Sequence, residues 1–272
     1  MMWPEPPKYA TVEPCVEGDM ALIRLDFFSD VLKVDTAVQV IVPQRCERSP
    51  AIGQPPYKVL YLLHGLKQNE TSYLRNSRIE RYVQNLDLVV VMPSVGRSFY
   101  TDQKKGYPYF NYLTEELPRL LSTLLPLSTQ RDDTAIAGLS MGGYGALKAA
   151  LTNPMQYGYA ASMSGALDLV SLANRMKDET LPFPAEFENT FGPLECLADG
   201  QDDLFALAAK LGKVRPRLYI TCGTEDFLYE DNIHFVKTFG ERLDIRYEET
   251  AGSHTWAFWD AALPGVLSSM LQ

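Results

Sequence analysis

Residues 138–145 read Gly138-Leu139-Ser140-Met141-Gly142-Gly143-Tyr144-Gly145, directly after the apolar run Thr134-Ala135-Ile136-Ala137. A short strand that ends in Gly-x-Ser-x-Gly and passes straight into a small-residue helix holds a serine hydroxyl at the tip of a tight turn. The small residues follow here as Ala146-Leu147-Lys148-Ala149-Ala150-Leu151. Flanking glycines suit a strained turn in which a Cβ would clash. The helix beginning at the serine aims its first amides, and the positive end of its dipole, at any oxyanion formed nearby. Ser140 is therefore the candidate nucleophile for acyl transfer. The pattern alone arises by chance in a chain of this length roughly one time in ten, so its neighbours must carry the reading.

Three other segments supply what such a serine needs. Lys58-Val59-Leu60-Tyr61-Leu62-Leu63 is an apolar strand that ends in His64-Gly65-Leu66. In serine hydrolases of the α/β class, the loop after such a strand gives one backbone N–H to the oxyanion, and the residue after the nucleophile gives the other. Those donors would be Leu66 and Met141, with His64 a structural histidine that hydrogen-bonds the loop. Arg217-Leu218-Tyr219-Ile220-Thr221-Cys222-Gly223 is a late strand followed by Thr224-Glu225-Asp226-Phe227. Glu225, Asp226, Glu230 and Asp231 compete to be the acid that holds an imidazole, and Asp226 is preferred. Glu230 and Asp231 fit the first turn of the helix over Asn232–Phe239, where acidic side chains favour the dipole. His234 falls inside that helix. Finally, Leu243–Glu249 alternates as a last strand, and His254 follows Gly252 and precedes an aromatic helix carrying Trp256 and Trp259. With three histidines in the chain, His254 is the candidate base. The order Ser140, Asp226, His254 is the one this hydrolase class requires.

The elements that must position these residues are legible too. Met20–Phe27 and Val34–Val42 alternate as an antiparallel hairpin, and Leu86–Met92 is a buried parallel strand stopped by Pro93. Residues 111–125 suggest an amphipathic helix, kinked or broken by Pro118. Residues 171–202, rich in proline and glutamate, predict a small helical cap lining the pocket. Tyr100, Tyr107, Tyr109, Phe110 and Tyr112 could face core or cleft and receive no role. The whole predicts one α/β domain over residues 1–272, with a mostly parallel sheet covered by helices on both faces.

Composition narrows the partners. Lys plus Arg number 25 and Asp plus Glu 34, a net charge of -9, which disfavours nucleic acid and anionic membranes. The first seven residues lack the basic and apolar regions of a signal peptide. No run approaches the length of a membrane span, and a cytoplasmic protein is expected. The cysteines (Cys15, Cys46, Cys196 and Cys222) lack zinc spacing and are expected as free thiols, Cys222 in the core. No cofactor and no metal are called for. A small-molecule ester is the expected partner, and assembly into a homo-oligomer is left open.

The chain resembles the esterase D-type branch of the α/β-hydrolases, in particular bacterial tributyrin esterases and related acetyl and feruloyl esterases. The resemblance runs from about Met20 to Phe258. It rests on Tyr61-Leu62-Leu63-His64-Gly65, Val91-Met92-Pro93, Ser98-Phe99-Tyr100-Thr101-Asp102, Ala137–Leu147, Ser164-Gly165-Ala166-Leu167-Asp168, Gly223–Tyr229 and His254–Asp260. It implies Ser140, Asp226 and His254 as the triad and Leu66 and Met141 as oxyanion donors. S-formylglutathione hydrolases, the nearby cousins, usually carry Ser-Gly where this chain has His64-Gly65, and a histidine where it has Leu139. Mycolyltransferases share the fold but are secreted.

Two classes of function follow. One is a serine carboxylesterase acting on short-chain acyl esters, with S-formylglutathione hydrolase and feruloyl or acetyl-xylan esterase as alternatives. The other is a non-catalytic relative kept as a binding protein, and such relatives usually lose a triad member. All three members stand in this sequence.

Overall fold

The computed structural model describes residues 19–44, 54–177 and 184–272. Cys15, Cys46, the first seven residues and residues 178–183 of the expected cap lie outside them. Eight strands form one sheet: β1 (Asp19–Ser29), β2 (Val34–Gln44), β3 (Lys58–Leu63), β4 (Leu88–Pro93), β5 (Thr134–Leu139), β6 (Tyr159–Met163), β7 (Arg217–Gly223) and β8 (Ile245–Thr250). Their spatial order is β1-β2-β4-β3-β5-β6-β7-β8. β1 and β2 pair antiparallel, as β2 and β4 do, and all pairs from β4 to β8 are parallel.

Helices fill the connections. α1 (Ser72–Asn76) and α2 (Ile79–Val83) precede β4, and α3 (Tyr109–Asn111) and α4 (Leu117–Leu124) precede β5. α5 (Met141–Thr152) follows β5. α6 (Leu169–Lys177), α7 (Pro184–Phe191) and α8 (Leu204–Lys210) lie between β6 and β7. α9 (Tyr229–Phe239) and α10 (Trp256–Leu271) complete the chain. The break expected at Pro118 takes a particular form. Residues Tyr112–Glu116 make a π-helical turn that runs straight into α4, and the Thr114 carbonyl, which Pro118 has no N–H to meet, accepts instead from Gln156 Nε2 at 3.0 Å.

The inner strands β3, β4, β5 and β6 are almost wholly apolar because both faces of the sheet are covered there, whereas the edge strands β1 and β8 carry charged residues. Alternation sends neighbours to opposite sides. Tyr61, Leu63, Val89, Val91 and Ile136 join a core with α4, α5 and α9. Leu60, Leu62, Val90, Met92 and Ala137 join the other core, with α1, α2 and α10. Burying each large aliphatic side chain is worth about 1.5–3 kcal/mol.

A buried ion pair stands in the first core. Lys148, on the buried face of α5, pairs with Asp202 at 2.5 Å, both side chains being nearly inaccessible. Its Nζ also contacts Thr101 Oγ1, which in turn donates to Asp202 at 2.6 Å. Tyr144 O–H donates to the Asp202 carbonyl at 2.8 Å. Burial pulls the Lys148 ammonium below its usual range, and Asp202 opposes that pull. The pair fastens the β6–β7 excursion to the helix that starts at Ser140. Removing one partner of a buried pair costs about 3–5 kcal/mol, whereas replacing both with apolar groups is often neutral. Lys148→Met is expected to lower unfolding free energy in guanidinium titrations by about that amount, and Lys148→Met/Asp202→Leu to recover most of it.

Candidate active site

Ser140 occupies the turn between β5 and α5 with φ 55 and ψ -119. A residue with a Cβ reaches this region only under strain. The turn is compact because two glycines permit it. A Cβ on Gly138 would collide with the Gly142 backbone, and one on Gly142 with the carbonyl of Leu63 at the end of β3. Neither obstacle is a side chain that could swing away. β3, the elbow and the start of α5 are thus in backbone contact, which sets Leu66 and Met141 on the rim of the cleft that holds Ser140. Met141 is the first residue of α5, so its N–H has no intrahelical acceptor.

Side chains fix the loop after β3. Tyr73 O–H donates to the Leu63 carbonyl at 3.1 Å, and Tyr100 O–H to the His64 carbonyl at 2.9 Å. Burial pushes the Tyr100 phenol well up, so it remains a donor. Gln68 Oε1 accepts the Gly65 N–H at 2.9 Å. His64 spans the loop from inside. Val95 N–H donates to its Nε2 at 3.2 Å, so the proton is on Nδ1, which donates to the Gly65 carbonyl at 2.8 Å. Expected as a loop histidine, His64 is one.

His254 Nε2 lies 3.0 Å from Ser140 Oγ. Its Nδ1 lies 2.8 Å and 3.0 Å from the two carboxylate oxygens of Asp226. The imidazole packs between Phe227, with centroids 4.6 Å apart, and Trp259, 4.9 Å away. Asp226 Oδ1 also accepts the Leu228 N–H at 2.9 Å. Burial alone would raise the Asp226 carboxyl. The hydrogen bond and charge of His254, the Leu228 N–H and the Ser164 hydroxyl outweigh it and hold the carboxyl below its usual range.

The competing acids are elsewhere. Glu225 is exposed, its backbone N–H bonded to the Gly252 carbonyl at 2.9 Å. Glu230 and Asp231 stand in the first turn of α9, and Asp231 is buried against Arg175 at 2.5 Å. His234, on α9, bonds Asp168 at 2.9 Å. Cys222 is buried, and desolvation pushes its thiol up to about 12, where it is inert. Tyr100 and Tyr112 are buried, whereas Tyr107 is exposed. Sequence reasoning gave no role to Phe99, Leu172 or Phe227, although all three line the cleft of about 360 Å³. A single aromatic residue in a loop carries no periodicity to announce its direction.

Sheet order, elbow and loop positions define an α/β-hydrolase. The chain matches the family model described as putative esterase over residues 29–270 and belongs to that family. It is 31% identical over 265 residues to an acetyl esterase of Caldicellulosiruptor saccharolyticus, covering 92% of this chain and 98% of the relative. Among solved structures, a fluorophosphonate-binding serine hydrolase of Staphylococcus aureus, FphF, superposes with a TM-score of 0.84 at 32% identity, covering 94% of this chain and 100% of that one. A Staphylococcus aureus protein described as S-formylglutathione hydrolase (FrmB) gives 0.81 at 33%, with 93% and 100% covered.

The buried loop histidine has a consequence for stability. Burial pulls His64 down to about 4, against partial compensation from the Gly65 carbonyl and Glu70. A histidine depressed in the folded state contributes stability that is complete above its unfolded value of about 6.5 and is lost as pH falls through about 4. The expected loss is about 3 kcal/mol over that window. Denaturant titrations from pH 7 to 4 check it. The slope should be reduced in His64→Gln, whatever the variant's stability at neutral pH.

Proposed function

We propose that this chain is a serine carboxylesterase that hydrolyses short-chain acyl esters through an acyl-enzyme. In this reading Ser140 is the nucleophile, His254 the general base, Asp226 its orienting acid, and Leu66 and Met141 the oxyanion donors. The observation that carries it is the unbroken line from the buried Asp226 carboxylate through both nitrogens of His254 to Ser140 Oγ. The carboxylate at Nδ1 keeps the proton there, leaving the Nε2 lone pair for the serine hydroxyl.

The reaction then runs in two halves. Ser140 Oγ attacks the ester carbonyl as its proton passes to His254 Nε2. The resulting imidazolium is stabilised by Asp226, and the oxyanion by the two amides and the start of α5. Collapse expels the alcohol, which takes the proton from Nε2. Water, deprotonated by the same nitrogen, attacks the acyl-enzyme, releases the acid and restores Ser140. A thioester such as S-formylglutathione would follow the same steps with a thiol leaving.

The remaining parts of the proposal are coarser. We take the chain as one domain in which residues 171–202 form a cap. α7 supports this, since Lys104 and Lys105 N–H donate to the Thr190 and Asn189 carbonyls at the end of that helix at 3.0 and 2.8 Å. Among the described residues no helix is long and apolar enough to cross a membrane. A cytoplasmic setting suits the unpaired Cys196 and Cys222.

Ser140→Ala is expected to cut kcat on p-nitrophenyl acetate by roughly 10⁴–10⁶ and to abolish covalent labelling by a fluorophosphonate probe while thermal unfolding stays near that of the parent. A purified Ala variant keeping a tenth of the rate, or still labelled, would remove Ser140 from the role. Asp226→Asn should cost about 10⁴ in kcat by presenting the wrong tautomer, and Glu225→Gln far less than tenfold. The opposite ranking would transfer the acid's role to Glu225.

A further inference from the structure

We infer that the cleft treats the two halves of an ester unequally, with Phe99 setting a hard limit on acyl length and Phe227 forming a yielding wall for the alcohol. This rests on the assignment of Ser140 and His254 above. His254 must hand its proton to the leaving oxygen, so the alcohol lies on the His254 side of Ser140. Strand order separates the two sides. Phe227 and His254 follow β7 and β8, to one side of β5, whereas Phe99 follows β4, to the other. Phe227 packs on His254 itself. The acyl group is left with the side that Phe99 closes.

The two rings are supported very differently. Phe99 is 7% exposed and lies against Tyr144, Phe187 and Phe191, with centroids 5.9, 5.5 and 5.4 Å away. Phe187 and Phe191 come from α7, so the cap backs the Phe99 ring, and it also adds Leu172 of α6 to the cleft lining. The backbone below is held twice over. Phe99 and Tyr100 have φ of 52 and 53, consecutive non-glycine residues in the left-handed region. Such strain persists only where the surroundings over-determine it. Here Ser98 Oγ accepts the Tyr100 N–H at 3.1 Å, and the Tyr100 hydroxyl is fixed on the His64 carbonyl. Moving Phe99 aside would therefore disturb both the cap and the loop that carries Leu66. Phe227, by contrast, is 56% exposed. It can turn outward into solvent without opening a void.

The limit on the acyl side comes from the buried Phe99 ring, which closes that side of the cleft of about 360 Å³. Each methylene denied burial forfeits about fourfold in binding.

The test uses two ester series. One varies the acyl chain of p-nitrophenyl esters from acetyl to dodecanoyl. The other varies straight-chain primary alcohols from ethyl to octyl as acetates, whose leaving-oxygen basicity is nearly constant. For the wild type, kcat/KM should fall tenfold or more from butyryl to octanoyl and change less than threefold across the alcohols. Phe99→Ala should move the acyl optimum by two or more carbons without altering the alcohol series. Phe187→Ala, which loosens the backing, should move it part of the way and provides the same reading should Phe99→Ala fold poorly. Phe227→Ala should leave the acyl optimum in place. A wild-type enzyme that takes octanoyl as readily as butyryl would overturn the inference. So would variants active on acetate with an unshifted acyl optimum. Failure of the folded wild type to turn over any ester would instead overturn the esterase reading, and this inference with it.

Discussion

The backbone contact between the end of β3 and the start of α5 is the constraint on which the rest of the site depends. Gly142 touches the Leu63 carbonyl, and Gly138 touches Gly142, with no space for a Cβ at either. That closeness sets the loop of Leu66 beside the first amide of α5. It also forces Ser140 into a conformation that side chains otherwise avoid. The strain is sustained because the elbow is enclosed by buried strands on both sides. The Ser140 N–H bonds the Met163 carbonyl of β6 at 2.9 Å, and its carbonyl accepts from Ala166. The energy for holding the turn comes from two apolar cores, not from the turn itself.

The electrostatics are organised around one desolvated carboxylate. Asp226 keeps its charge because its hydrogen-bond partners outweigh its burial. Its position is set by backbone rather than by long side chains. The loops after β7 and β8 are tied together by the Thr224 and Glu225 N–H groups, which donate to the Thr250 and Gly252 carbonyls. Asp226 and His254 are thereby held across adjacent strand ends, and Trp259 of α10 supports the imidazole from behind. His64 shows the opposite solution to burial. It stays neutral and uses both nitrogens to brace a loop.

Remote parts of the chain reach the cleft through aromatic and ionic contacts rather than through the sheet. Lys148 and Asp202 fasten the β6–β7 excursion to α5, and Phe187 and Phe191 of α7 stand behind Phe99. A cap built this way can shape the pocket without touching the reacting atoms.

Much of this was legible in the sequence, because local rules govern it. Alternating runs marked the first hairpin and the last strand, continuous apolar runs marked the central strands, glycines on either side of Ser140 marked the elbow, and a scarcity of histidines narrowed the base. Chain order linked Ser140, Asp226 and His254 before any distance was known. The sequence preferred Asp226 among the acidic residues, and the tertiary structure shows it to be the one that meets His254. Glu225 and Asp226 are neighbours with the same chemistry, and only the direction of one turn places the carboxylate of the second against His254. It alone revealed Phe99 as a cleft wall, since its direction comes from strained backbone and from rings 45 to 92 positions later in the chain. The pairing of Lys148 with Asp202 was equally hidden. A lysine in a small-residue helix reads as solvent-facing until a distant carboxylate is brought into the core to meet it.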